Sequence, residues 1–238
     1  MTSGAPPAGR PDGVPFADVV LQRASTPQHV AQAIREQILR GEVAPGARLS
    51  DDAIASALGV SRNSVREALQ ILVSQGLVQR NLHRGALVTE LTLGELTDVY
   101  QARRAIELAG IRSARTAGTA WLEALHRVLR EMKAAVDSGD LADLLEVDLR
   151  FHETIVEAIG SRRVSRFYRD VQTEIRLARA WRGERPVPTV FYGRHQEIVD
   201  ALDAGAFPEA ESLVAALIND GEARIRKGFE EAGGGLER

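Results

Sequence analysis

The sequence predicts a mostly α fold in two parts: an N-terminal unit of short helices closed by a β-hairpin, and a C-terminal all-α helical bundle of about six helices. Three observations lead to this. Apolar residues recur at helical spacing along most of the chain. Strict alternation is confined to two short runs, "LVQR" and "ALVTEL", on either side of "NLHRG". From Thr92 onward no strand pattern appears, only amphipathic stretches separated by Gly, Pro and Asp.

Composition bounds what such a chain can be. At 238 residues it is long enough for two hydrophobic cores. Its 44% hydrophobic and 26% charged residues are those of a soluble globular protein. The formal net charge of -3 means that any attraction to nucleic acid must come from a local basic patch. Only Lys133 and Lys227 among the cations are lysine, and arginine's planar fork suits phosphate and guanine contacts. The absence of cysteine excludes disulfides, thiolate zinc sites and cysteine nucleophiles. No apolar run reaches about 18 residues, so no membrane span and a cytoplasmic protein are expected. The segment "MTSGAPPAGRPDG" has no apolar stretch and is not a secretory signal; residues 1–24 are expected to be a disordered leader.

The first folded unit is expected over residues 25–90. In "QHVAQAIREQILRG", Val30, Ile34, Ile38 and Leu39 form one helical stripe, and Gly41 stands where the helix stops. "EVAPGARLS" is a turn on Pro45-Gly46. Ser50 is the N-cap of a second helix whose inner face is Ile54, Ala55 and Leu58, with Gly59 at its end. Ser61 caps a third, with Val65, Leu69, Leu72 and Val73 on its apolar face, and the hairpin follows. Helix, short helix, turn, helix and hairpin together make a winged helix-turn-helix.

The second unit is expected over 91–232, with helices at 92–116, 119–137, 139–158, 162–181, 189–204 and 207–230, and a frayed tail over 233–238.

Candidate DNA contacts cluster where the third helix begins. Ser61, Arg62, Asn63 and Ser64 crowd its N-terminus, which carries the positive end of the dipole and free N–H groups suited to phosphate. Arg66 lies one turn on, and Arg62 with Arg66 can read guanine edges in a major groove. Arg80, His83 and Arg84 decorate the hairpin, and Gly85 lets its backbone approach DNA closely. The competing reading is that these arginines are surface residues paired with Glu67 or another neighbour.

The run "LSDDAIASALGVSRNSVREALQILVSQGLVQRNLHRGALV" resembles the DNA-binding domain of the GntR family of bacterial repressors. The shared elements are Pro45-Gly46, Gly59 to Arg62, Val65 to Leu69, Leu72, Gly76 to Val78 and Arg84-Gly85. The resemblance implies base and phosphate contacts at the helix and wing-tip positions above. Some relatives carry a phosphate-binding arginine near Asp52, so that contact is expected to be missing here.

In the second unit, "RRAIE", "DLRFH" and "RHQEIVDALDAG" resemble the FCD domain, the ligand-binding domain of the fatty-acid-responsive (FadR-type) branch of that family. With the first unit, the likeness covers roughly residues 25 to 230. Asp148 and His152 lie four apart on one helix face and can share an ion, or can be one polar stripe of an ordinary helix. His195 on a later helix is the third candidate ligand that the resemblance implies. A carboxylate with imidazoles suits zinc, manganese, iron or nickel without choosing among them. The family's fourth ligand, a histidine on the last helix, falls at Leu217 here, and only a register shift would turn Asn219 or Asp220 inward. The pocket therefore either holds an ion completed by water or effector, or holds none.

Arg103, Arg104 and Arg176 are candidates to pair with a carboxylate effector, with Arg179 as a further one, while Arg103 can equally bridge to Glu107 one turn on.

The expected function is a homodimeric transcriptional regulator, a repressor, reading a short inverted repeat of operator DNA and answering to a small organic acid, with or without a divalent metal. Two rivals stand beside it. One is a metal-dependent enzyme on small acids, which lacks a convergent general base or nucleophile motif and has no use for a winged helix. The other is an architectural DNA binder with no effector.

Overall fold

A computed structural model of the chain describes residues 27–82, 84–182 and 187–231. The expected leader, the expected tail and His83 lie outside them. The chain divides between Glu90 and Leu91 into two compact units.

The first unit begins with α1 (Pro27–Leu39), which buries Val30, Ala31, Ile34 and Ile38. The turn at Pro45-Gly46 then hands over to a two-residue strand, β1 (Arg48–Leu49), where the sequence predicts only turn. Two residues are too few to show a period of two; the strand exists because β3 offers an edge to pair with. Gly46 (φ 69°) donates its N–H to the Val88 carbonyl at 3.1 Å, which starts that pairing. Helix α2 (Asp51–Leu58) is capped by Ser50 and ends on Gly59 in the left-handed conformation. Helix α3 (Arg62–Ser74) buries Val65, Ala68, Leu69 and Leu72. Strands β2 (Val78–Asn81) and β3 (Gly85–Val88) close the unit as an antiparallel hairpin, giving the order β1-β3-β2.

The second unit is helical throughout its described residues. Helix α4 (Leu93–Ser113) starts on a capping box between Thr92 and Glu95 and ends in a 3-10 turn at Ala114–Thr116. It is followed by α5 (Thr119–Ser138), α6 (Leu141–Glu157), α7 (Arg162–Arg182), α8 (Pro188–Asp203) and α9 (Phe207–Glu231). Helix α4 packs on α6, α7 and α9 and so runs through the middle of the bundle. It comes close to α6 at Gly110, where an added Cβ would lie 2.5 Å from the Ile155 carbonyl oxygen. Leu96, Tyr100, Phe151, Ile155, Ile198 and Ile218 fill the core, each worth about 1.5–3 kcal/mol of burial. Set into that core is a group of buried polar side chains: Arg103, Glu107, Asp148, His152, Gln172, Arg179 and His195.

No helix among the described residues is long and apolar enough to cross a membrane.

Candidate functional site

In the first unit the structure brings Ser61, Arg62, Asn63, Ser64 and Arg66 together at the exposed start of α3. The Ser61 hydroxyl accepts the Ser64 backbone N–H at 3.1 Å, fixing the helix start. Arg62 Nε stands 2.8 Å from Asp52 Oδ1, and Arg66 Nε donates to Asp51 Oδ2 at 2.8 Å. Asn63 donates to Glu67 at 2.7 Å. The arginine partners are thus the acidic first turn of α2 and not Glu67. Both arginine side chains stay more than 60% exposed, and such surface pairs are worth about 0–1 kcal/mol. They hold the arginines in place but yield readily to a phosphate or guanine. On the hairpin, Arg80, Arg84 and Gly85 are exposed. Gly85 has φ 79° and nothing within 4 Å of where a Cβ would stand, so its backbone is open to a close neighbour.

The second unit holds the buried polar centre, built from four helices. Helix α4 supplies Arg103 and Glu107, α6 supplies Asp148 and His152, α7 supplies Tyr168 and Arg179, and α8 supplies His195. Glu107 is one hub. Its Oε1 accepts Arg103 Nε at 2.6 Å and the Tyr168 hydroxyl at 2.5 Å, while its Oε2 meets His152 Nδ1 at 2.6 Å. Burial would raise the Glu107 pKa, but the Arg103 charge and His152 pull it down to about 2, so the carboxylate is ionised. Burial and Glu107 together push the Tyr168 phenol well above its usual range, keeping it a donor.

Asp148 is the other hub. Arg179 Nη1 donates to Oδ2 at 2.6 Å, and Oδ1 faces His195 Nε2 at 2.8 Å and His152 Nε2 at 3.4 Å. Burial opposes its ionisation, yet Arg179 and His152 hold its pKa well below the ordinary carboxylate value. For His152, burial and Arg103 work downward, but Glu107 and Asp148 outweigh them and raise its pKa.

The partners assign the histidine tautomers. His195 Nδ1 lies 2.7 Å from the Phe191 carbonyl, which can only accept, so Nδ1 carries the hydrogen. His152 Nδ1 is held likewise by the ionised Glu107. In a neutral ring both Nε2 lone pairs then point at one carboxylate oxygen. Lone pairs do not bond to one another, so a proton or a cation belongs between them. Donor atoms of Asp148, His152 and His195 lie within 4.8 Å of one another, and this carboxylate-imidazole set fits a divalent ion. Phe151 and Phe191, each with its ring 4.8 Å from that of His195, line the site with apolar surface.

Leu217 is buried in the apolar core and offers no donor. Asn219 accepts from Arg104 Nε at 3.1 Å, and Asp220 pairs with Arg194, so both have partners elsewhere.

The effector candidates are not brought together. Arg103 is buried on Glu107, Arg104 also reaches Glu222 at 3.2 Å, and Arg176 binds Glu146 at 2.6 Å near the surface. Each guanidinium is committed to a carboxylate of the protein itself. Arg179, one turn from Arg176, is the α7 arginine that faces the centre. Sequence reasoning missed Tyr168 altogether, since a tyrosine in an amphipathic helix looks like core. Glu107 was visible only as a partner for Arg103.

Comparison with known proteins places both units. Residues 26–88 match the gntR family of bacterial regulatory proteins, and residues 98–220 match the FCD domain. An uncharacterized HTH-type transcriptional regulator in an unstable DNA locus of Streptomyces ambofaciens is 30% identical over 76% of this chain and 77% of its own length. The gluconate operon transcriptional repressor of Bacillus licheniformis is 34% identical over 59% of this chain and 58% of its own length. A solved GntR-type regulator from Rhodococcus sp. RHA1 is 33% identical, with a TM-score of 0.73, covering 84% of this chain and 97% of that one.

Proposed function

The chain belongs to the GntR family of bacterial regulatory proteins and carries its FCD domain, which makes it a DNA-binding transcriptional regulator and not an enzyme; from this premise we propose that it is a cytoplasmic homodimeric repressor controlled by a small organic acid. The observation that carries the reading is the start of α3, where Arg62 and Arg66 stand exposed on the first turns after the Ser61 cap. Two such heads related by a two-fold axis read an inverted repeat, with Arg84 and Gly85 meeting the backbone beside each half-site. The intact acidic turn of α2 supports a missing phosphate contact at Asp52: its carboxylate repels the backbone and orients Arg62 toward the groove.

Control is assigned to the buried centre. Asp148, His152 and His195 are the residues that would hold a zinc, manganese, iron or nickel ion, and such an ion supplies a Lewis-acidic position for a carboxylate oxygen. A set of three protein donors leaves that position open, and Leu217 does not fill it. The phenyl rings exclude water and strengthen each electrostatic contact inside. That one relative's operon is named for gluconate, a sugar acid, supports an effector of this class. An effector acts by binding more tightly to one state of the dimer, so it shifts operator affinity by the ratio of its affinities for the two states.

Arg62→Ala and Arg66→Ala test the DNA half. With the circular dichroism spectrum retained, each is expected to weaken specific binding by about 1–3 kcal/mol, or 5- to 150-fold. Unchanged sequence-specific binding in both would refute it. Elemental analysis beside a thermal-shift screen of organic acids tests the control half. It predicts a bound metal that His152→Ala abolishes and at least one acid that raises Tm; neither effect would leave an architectural DNA binder.

A further inference from the structure

The donors that face an ion account for half of what surrounds Asp148. Its other oxygen is held by Arg179, whose side chain is 6% exposed and whose Nη1 is 2.6 Å away. With both imidazoles neutral, the charged side chains of the buried set pair off without any ion. Glu107 and Asp148 are the two anions, Arg103 and Arg179 the two cations, and each cation sits 2.6 Å from its own carboxylate. A carboxylate taken into the core needs a positive partner, and here a side chain of the same protein provides one. A divalent ion would bring two further charges to a site whose anions are already matched. In addition, the position where the family resemblance puts a fourth ligand is the apolar Leu217.

We propose that Arg179 is the resident counter-cation of Asp148: it keeps the three-donor centre assembled in the metal-free protein, so that metal occupancy is reversible instead of being a condition of folding. The proposal rests on the reading of Asp148, His152 and His195 as a metal site. Arg103 cannot play this part, because Glu107 claims its Nε and lies between it and the metal-ligand set through His152. The consequence is a regulator that stays folded when metal is scarce and in which the ion, like the effector, is a ligand that comes and goes.

The test uses the full-length protein, stripped with EDTA and then titrated with zinc or manganese, reading Tm and bound metal by elemental analysis. Wild type is expected to stay folded in EDTA, keeping its helicity and losing only the few degrees of Tm that release of a bound ligand accounts for. Arg179→Met, which preserves length and loses charge, is expected to melt about 10 °C lower in EDTA and to regain most of that on adding metal. Arg179→Lys, which keeps the charge, should behave as wild type. The double change Arg179→Met with Asp148→Asn removes both charges and gives His195 Nε2 an amide donor; it should melt near wild type and ignore metal. This double variant decides the matter if the single one does not fold, since soluble double-variant protein supports the pairing and insoluble protein overturns it. Wild type that unfolds in EDTA overturns the proposal, as does Arg179→Met that matches wild type in EDTA. If neither protein binds metal, the metal reading itself has failed and takes the proposal with it. That result is distinguishable, because Arg179→Met would still melt low, with no rescue.

Discussion

Replacing Glu107 by glutamine should destabilise the second unit strongly, and by an amount that depends on pH. The carboxylate accepts from Arg103, Tyr168 and His152 at 2.5–2.6 Å, all in the buried interior. Glutamine removes the charge opposite Arg103 and turns one accepting oxygen into a donor that faces another donor. Breaking a buried ion pair from one side costs about 3–5 kcal/mol. The titration gives an independent figure. The folded pKa is about 2 against an ordinary 4.5. That gap corresponds to about 3 kcal/mol of stability. A depressed folded pKa means the stabilisation is fully present above the unfolded value and is lost as pH falls through the folded one. The expected result is therefore a gap of about 3–5 kcal/mol between wild type and Glu107→Gln at pH 7. It should narrow steadily from pH 4.5 toward pH 2, the interval between the two pKa values. Urea unfolding followed by circular dichroism at a series of pH values measures it. A gap below about 1 kcal/mol at pH 7, or one that does not change down to the acid limit, would show that the network is not held by this charge.

Two other substitutions probe separate parts of the molecule. Gly110→Ala puts a Cβ 2.5 Å from the Ile155 carbonyl where α4 crosses α6, and should cost about 1–3 kcal/mol despite alanine's better helix propensity; calorimetry showing no loss of Tm would mean the helices part freely. Asp51→Asn releases Arg66 from its 2.8 Å partner and removes a negative charge beside the proposed DNA contacts, so binding to non-operator DNA should tighten and its salt dependence steepen by up to about one phosphate contact, as read by fluorescence anisotropy; an unaltered salt slope would mean that Arg66 does not meet the backbone.

The division of labour between sequence and structure follows the range of the interactions. Helices α4 to α9 were legible because an amphipathic helix carries its own period of apolar residues and its own stop signals, and Ser50 and Ser61 announced their caps by standing before such runs. Strand β1 was not, because a two-residue strand has no pattern and depends on pairing with β3. In the reading head, sequence placed Ser61 to Arg66 at one helix start but could not show that Asp51 and Asp52 would face Arg66 and Arg62, since that depends on the angle between α2 and α3.

The same boundary runs through the buried centre. The i,i+4 spacing of Asp148 and His152 is a property of one helix, so the sequence alone determined that they share a face. It also determined that Leu217 could supply no ligand. It did not determine which of the arginines on α7 turns inward, that Tyr168 and Glu107 anchor His152, or that His195 meets Asp148 at 2.8 Å. Those partners are 45 to 61 residues apart along the chain. Only the packing of α4, α6, α7 and α8 into one core brings them into contact, and only burial makes each unmatched charge costly enough for its partner to be fixed.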